Sequence, residues 1–103
     1  MIRITDILDK VSLYGTQDDL DLIDRAYIFS AQVHAGQVRL SGEPYLSHPL
    51  EVSSLLADMK LDGVSISAGL LHDVLEDTHA SEAQILDIFG KEVLHIVAGV
   101  TKL

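Results

Sequence analysis

Apolar residues recur at the three- and four-residue spacing of an α-helix along most of this 103-residue chain. This spacing places apolar side chains on one helix face, which can be buried against other helices. No segment shows strand alternation, an internal repeat or a linker. We therefore predict an all-α fold with one bundled core. The six predicted helices cover approximately residues 4–14, 18–34, 49–59, 62–77, 81–89 and 93–100.

Several residues predict where these helices begin. Thr16 with Asp19, and Ser81 with Gln84, have the three-residue spacing of a capping box. Pro49 suits the first position of a helix, which places the preceding histidine at the cap. Residues 36–45 contain two glycines and a proline without a sustained period, so they are predicted to form a loop.

The formal charge of −9 argues against a nucleic-acid surface, since phosphate backbones are bound mainly by clustered Lys and Arg. An acidic chain can still act on a small phosphorylated substrate if a metal ion supplies positive charge. The absence of cysteine means that His and carboxylates must hold any such metal. No signal peptide or membrane span is visible, so we expect a soluble, cytoplasmic protein without membrane contact.

The strongest local signal is the sequence His72-Asp73 followed by Glu76-Asp77. On a continuous helix His72 lies over Glu76 and Asp73 lies over Asp77. Like charges four residues apart cost about 0.2–0.5 kcal/mol, and carboxylates near a helix C-terminus oppose its dipole. A bound cation would relieve both penalties, although a solvated acidic helix end is the alternative interpretation.

His48 stands at a predicted loop-to-helix junction, from which its ring can project into a cleft or act as a cap. Together with His72 and Asp73 it would form a mixed nitrogen and oxygen site suited to manganese, iron or zinc. Such a site can acidify water and polarise a phosphoryl oxygen. Glu76 and Asp77 are then placed to orient that water or to exchange a proton.

The predicted loop carries further candidates. Arg39 has a planar guanidinium that can stack on a base or bind a phosphate with two hydrogen bonds, and Ser41 and Tyr45 share its loop. From the residues alone, each is equally an ordinary loop residue. Three other histidines lack partners at ligand spacing, and we expect them to be structural or solvent-facing: His34, His79 and His95.

Four segments together resemble the N-terminal hydrolase region of RelA/SpoT homologues, an HD-type metal-dependent phosphohydrolase domain. The similarity runs from about residue 20 to Leu103. It is far more specific than a lone His-Asp pair. The segments are Arg25-Ala26-Tyr27, residues 34–39 (HAGQVR), residues 41–49 (SGEPYLSHP) and residues 69–78 (GLLHDVLEDT).

The resemblance implies an HD-type helical bundle that removes pyrophosphate from the 3′ position of ppGpp or pppGpp, giving GDP or GTP. It implies a bound manganese ion, although another divalent transition metal would suit the same donors. The implied metal ligands are His48, His72 and Asp73. The implied catalytic acidic pair is Glu76 and Asp77, and the residues that line the guanine nucleotide pocket are Arg39 and Ser41.

Two departures from the family pattern matter. The family's last metal ligand, an Asp, belongs to a later helix, and Leu40 replaces a basic residue that relatives often carry after the loop arginine. We therefore expect residues 1–103 to be the N-terminal part of an HD-type domain, truncated at its C-terminus. The parent chain would carry synthetase and regulatory domains, and uncovered apolar surface would favour self-association.

Two alternatives to hydrolysis of ppGpp stay open at this point. One is a regulatory or nucleotide-binding helical module without turnover, as in family members that keep the helices but lose catalytic residues. The other is an HD phosphohydrolase for a different nucleotide, since the metal chemistry is shared and only the Arg39 loop indicates guanosine tetraphosphate.

Overall fold

The computed structural model describes residues 1–37, Gly42 and residues 44–101. These residues form helices joined by short turns, so the all-α prediction is confirmed. The helices are α1 (Ile4–Ser12), α2 (Gln17–Val33), α3 (Ser47–Asp58), α4 (Gly63–Leu71), α5 (Val74–Asp77), α6 (Glu82–Phe89) and α7 (Lys91–Thr101).

Both predicted capping boxes are present. The Thr16 side chain accepts a hydrogen bond from the Asp19 backbone N–H, and the Asp19 carboxylate accepts one from the Thr16 N–H. Ser81 and Gln84 pair in the same way at the start of α6. The second oxygen of Asp19 also accepts a hydrogen bond of 3.0 Å from the Gly63 N–H. One carboxylate therefore joins the N-termini of α2 and α4.

Helix α4 lies at the centre of the bundle, packed against α2, α3 and α7. Seven of its nine residues are buried, and they include Leu70 and Leu71, which have no exposed surface. Gly69 allows α3 to come close, because a Cβ atom there would lie 2.9 Å from Ser53 Oγ and 3.0 Å from Leu56 Cδ1. The C-terminal end of α4 is thus held on several sides.

The predicted helix over residues 62–77 is not continuous. It ends at Leu71, the chain turns through His72 and Asp73, and the short α5 follows. The reason is a side-chain hydrogen bond: His72 Nδ1 lies 2.7 Å from the Gly69 carbonyl oxygen, which is the acceptor that residue 73 would use in a longer helix. Competition for this carbonyl accounts for the break.

The start of α3 also differs from the prediction. The helix begins at Ser47 with Leu46 at the cap position, so His48 lies within the first turn and Pro49 follows it. Pro49 is still tolerated, because the first helical N–H groups have no intrahelical acceptor. Among the described residues, no helix is both long and apolar enough to cross a membrane.

Candidate functional site

A pocket of about 260 Å³ opens where α4, α5 and the start of α3 meet. It brings together five of the seven predicted site residues. The other two, Arg39 and Ser41, lie outside the described residues. The residues that line the pocket are Tyr45, His48, His72, Asp73, Glu76, Asp77 and Val100.

The two predicted metal-binding histidines are neighbours in this pocket. Their ring centroids lie 5.2 Å apart, with an angle of 70° between the ring planes. The carbonyl of Gly69 can only accept a hydrogen bond, so His72 Nδ1 is the donor and carries the proton. In a neutral ring this leaves His72 Nε2 as the free electron-pair donor. Such a bond to a backbone carbonyl is the usual way in which a metal-binding histidine is oriented.

His48 reaches the same pocket from the other side. It is exposed on the first turn of α3, as the expected loop-to-helix junction requires. The turn before it is fixed by a hydrogen bond of 3.2 Å from the Ser47 N–H to the Pro44 carbonyl. Pro49, the next residue, is buried and anchors this turn to the core. The imidazole is therefore accessible on a fixed backbone.

Asp73 occupies the N-cap position of α5 without a side-chain capping bond, and it faces a histidine that the sequence did not assign to the site. Its Oδ1 atom lies 3.3 Å from His34 Nε2. The His34 side chain is 1% exposed and that of Asp73 is 15% exposed. His34 was expected to be structural or solvent-facing, and it is buried, in agreement with the structural alternative. His79 and His95 are exposed, as expected.

The acidic pair has a different setting from the one predicted. Glu76 and Asp77 lie on α5 and are both exposed. The expected stacking of His72 over Glu76 on one helix does not apply, because the helix is broken between them. Asp73 and Asp77 do keep helical spacing, since the Asp77 N–H donates to the Asp73 carbonyl at 3.0 Å. Both carboxylates of the pair are in contact with solvent at the pocket rim.

The donor types in the pocket suit a divalent transition metal: two imidazoles and a carboxylate. Nevertheless, within the described part of the chain no three His, Asp or Glu side chains already converge on one point. Asp73 Oδ1 is a buried carboxylate oxygen without a hydrogen-bond partner among these residues, which is the kind of group that a cation satisfies. The donors therefore fit a metal in chemistry and location, while coordination requires side-chain rotation.

The sequence also matches known proteins. Residues 26–103 match the family model described as an HD domain. The chain is 58% identical over 93 residues to a GTP pyrophosphokinase of Myxococcus xanthus, and 44% identical over 93 residues to the bifunctional (p)ppGpp synthase/hydrolase SpoT of Escherichia coli strain K12. Each alignment covers 90% of this chain but only 12% and 13% of the respective relative.

The fold matches a solved structure as well. A metazoan orthologue of SpoT that hydrolyses ppGpp superposes with a TM-score of 0.70 and 30% sequence identity, over 87% of this chain and 52% of the orthologue. Sequence and fold thus give the same assignment. The resemblance to RelA/SpoT homologues is confirmed, and the chain belongs to the HD domain family.

Proposed function

We propose that this domain hydrolyses the 3′-pyrophosphate of ppGpp or pppGpp, giving GDP or GTP, with the help of a divalent metal ion. The observation that carries the proposal is the assembly of two imidazoles and three carboxylates around one pocket in a chain of the HD family. Relatives whose names refer to (p)ppGpp synthesis and hydrolysis support the choice of substrate. The chain spans about an eighth of their length, so synthetase and regulatory domains of a longer parent chain are part of the proposal.

The metal is manganese in this proposal, held by His48, His72 and Asp73. Support comes from the edge-to-face proximity of the two rings and from the hydrogen bond that fixes His72. When bound, a divalent ion at such a site acidifies water and polarises a phosphoryl oxygen. Its positive charge would also offset the carboxylates that otherwise repel an anionic substrate from this pocket.

Glu76 and Asp77 supply the acid and base chemistry in this proposal. Both carboxylates are exposed at the rim of the pocket, where either can accept a proton from the attacking water and return it to the 3′-oxygen of the nucleotide as its bond to phosphorus breaks. Their position on a four-residue helix next to Asp73 keeps them close to the proposed ligands. The pair orients water, and the metal held by His48, His72 and Asp73 would bind the phosphate end of the substrate.

The size of the pocket limits which part of the substrate it holds. A volume of about 260 Å³ is below the approximate range of 300–1,000 Å³ for sites that enclose a drug-sized ligand. It therefore suits the pyrophosphate group rather than a whole nucleotide. We assign the guanosine to contacts outside this pocket, and the family resemblance implies that Arg39 and Ser41 supply them.

The test is pyrophosphate release from ppGpp with added Mn²⁺, using this chain and its His72→Ala variant. The matched control is His95→Ala, which removes an exposed imidazole from α7 outside the pocket. We expect release to fall more than about 100-fold in His72→Ala, since even residues that only orient metal ligands are worth about 10–100-fold. Equal rates in His72→Ala and His95→Ala would contradict the proposal.

A second candidate is a nucleotide-binding module without turnover. The observation in its favour is that the described donors do not already converge on one point. This candidate predicts that ppGpp binds while Mn²⁺ neither binds stoichiometrically nor promotes pyrophosphate release. Replacing ppGpp by GTP in the same assay separates a ppGpp hydrolase from an HD phosphohydrolase with a different nucleotide substrate.

A further inference from the structure

Glu76 and Asp77 lie on the shortest helix among the described residues, and the end of this helix is bound from a distant part of the sequence. Helix α5 has four residues, of which only Val74 is buried. Within this segment the Thr78 N–H and hydroxyl both donate to the Val74 carbonyl, at 3.2 Å and 2.7 Å. The Asp77 carbonyl instead accepts a hydrogen bond of 3.0 Å from Gln37 Nε2, 40 positions earlier in the chain. The last carbonyl groups of a helix have no intrahelical donor, so this side chain supplies one that α5 lacks.

The other end of the Gln37 amide is bound by His34. The chain turns at Gly36, which has φ of +80°, and the Gln37 N–H donates a hydrogen bond of 3.0 Å to the His34 carbonyl. Gln37 Oε1 lies 2.9 Å from His34 Nδ1. Because an amide oxygen only accepts, Nδ1 is the donor, and a neutral imidazole can carry its hydrogen there. Both ends of the amide are therefore bound, which fixes its orientation.

This amide joins the end of α2 to the end of α5. His34 follows the last residue of α2 and is buried, so it gives Gln37 a fixed support. The carboxylates of Glu76 and Asp77 are exposed, so their positions depend on the backbone that carries them. An acid or base acts only within hydrogen-bond reach of the group with which it exchanges a proton. Holding the Asp77 carbonyl in place therefore limits how far the acidic pair can move from the pocket.

We infer that Gln37 is a positioning residue, which holds the acidic pair at the pocket by binding the backbone at the end of α5. Gln37 needs no contact with substrate or metal for this role, since its partners are a backbone carbonyl and the His34 ring. The inference rests on the proposed function only in taking Glu76 and Asp77 as the acid and base. The hold on α5 can be tested without metal or substrate.

The first experiment measures amide hydrogen exchange by NMR, without metal, in the wild-type chain and in Gln37→Met. Methionine has a similar length but no N–H donor, and the matched control is Gln32→Met at an exposed position on α2. We expect exchange at the Asp77 and Thr78 N–H groups to become about 2–10-fold faster in Gln37→Met, which is the factor that one hydrogen bond of ordinary net strength is worth. Exchange at these groups in Gln32→Met, and in α7 of either variant, should stay at the wild-type rate.

Wild-type exchange at Asp77 and Thr78 in a folded Gln37→Met variant would overturn the inference. So would an equal acceleration throughout the chain, because it would mean that Gln37 contributes only general stability. If Gln37→Met does not fold, as judged by circular dichroism, the wild-type chain supplies the test. Nuclear Overhauser effects should then connect the Gln37 Nε2 hydrogens to the backbone hydrogens of Asp77 and Thr78, and their absence would overturn the inference.

The second experiment measures steady-state hydrolysis of ppGpp with Mn²⁺. We expect kcat to fall about 10-fold in Gln37→Met, since displacement of a positioned group by about 1 Å can cost about 100-fold. KM and Mn²⁺ affinity should change by less than about twofold, because the hydrogen bonds of Gln37 go to neither substrate nor metal. A loss of Mn²⁺ affinity that accounts for the whole loss of kcat would overturn the inference. A wild-type chain that releases no pyrophosphate would refute the proposed function, and the exchange comparison would then decide by itself whether Gln37 holds α5.

Discussion

Replacing Asp19 by alanine should destabilise the domain more than its position on a polar helix turn suggests. Its carboxylate accepts hydrogen bonds from the Thr16 N–H at 2.9 Å and from the Gly63 N–H at 3.0 Å. These N–H groups lie at the N-termini of two different helices, where they have no intrahelical acceptor and where the positive end of each helix dipole is located. Asp19→Ala therefore removes one anion from two helix starts at once.

The magnitude follows from the exposure of the two donors. Thr16 is exposed, so water can replace its lost bond and the capping contribution should stay at the lower end of about 0.5–2 kcal/mol. Gly63 is buried, and a buried N–H without a partner costs about 1–3 kcal/mol. We expect Asp19→Ala to lower the free energy of unfolding by about 2–3 kcal/mol.

Urea unfolding followed by circular dichroism at pH 7 measures this loss. The matched control is Asp18→Ala, which removes the same charge from the same helix turn at an exposed position without these bonds. Asp18→Ala should change the free energy of unfolding by no more than about 0.5 kcal/mol. Equal losses in the two variants would refute the assignment of Asp19 as a bridge between helix starts.

The effect of Asp19 should also depend on pH. Hydrogen bonds from the Thr16 N–H, and then from the Gly63 N–H, hold the pKa of the Asp19 carboxyl below its ordinary value of 3.8, against an opposing effect of desolvation. A carboxyl with a lowered pKa in the folded state contributes stability above its unfolded pKa and loses it as the pH falls through the folded pKa. The difference between the wild type and Asp19→Ala should therefore be full at pH 7 and shrink below about pH 4.

Three further changes test the packing described above. Gly69→Ala should lower the free energy of unfolding in urea by a net of about 1–2 kcal/mol. Overpacking against Ser53 outweighs the gain of up to about 1 kcal/mol in helix propensity. A more stable variant would contradict this. Phe89→Ala should cost about 3–5 kcal/mol, since it removes a buried ring that meets Phe29 edge-on at 5.6 Å, and a loss below 1 kcal/mol would show that the contact is unimportant. Asp58→Asn should cost no more than about 1 kcal/mol, measured at low and high salt, because the ion pair that Asp58 forms with Lys10 is exposed.

Helix starts were the features most readily predicted from sequence. A capping box is a local pattern of two side chains, and both predicted examples are present in α2 and α6. The prediction of one continuous helix over residues 62–77 was wrong. The spacing of apolar residues does not indicate which donor will bind a given carbonyl oxygen. The hydrogen bond from His72 to Gly69 depends on a rotamer, which spacing alone cannot specify.

The sequence predicted which residues lie at the candidate site better than it predicted how their side chains are arranged. His48 and His72 were placed together by the family resemblance, and the fold brings both to one pocket. His34 was missed as a neighbour of the site because its partner Asp73 is 39 positions further along the sequence. The signal that could have found it is the HAGQ segment, in which His34 and Gln37 stand on either side of a turn glycine.

The break between α4 and α5 places the pocket residues on two segments of different local stability. His72 follows directly from the most enclosed helix, so its backbone can be released only by opening events that approach global unfolding. Glu76 and Asp77 lie on a four-residue segment in which only Val74 is buried, and such segments open locally at far lower free energy. Hydrogen exchange should therefore be faster at the backbone of the acidic pair than at the end of α4, which carries the imidazole of His72.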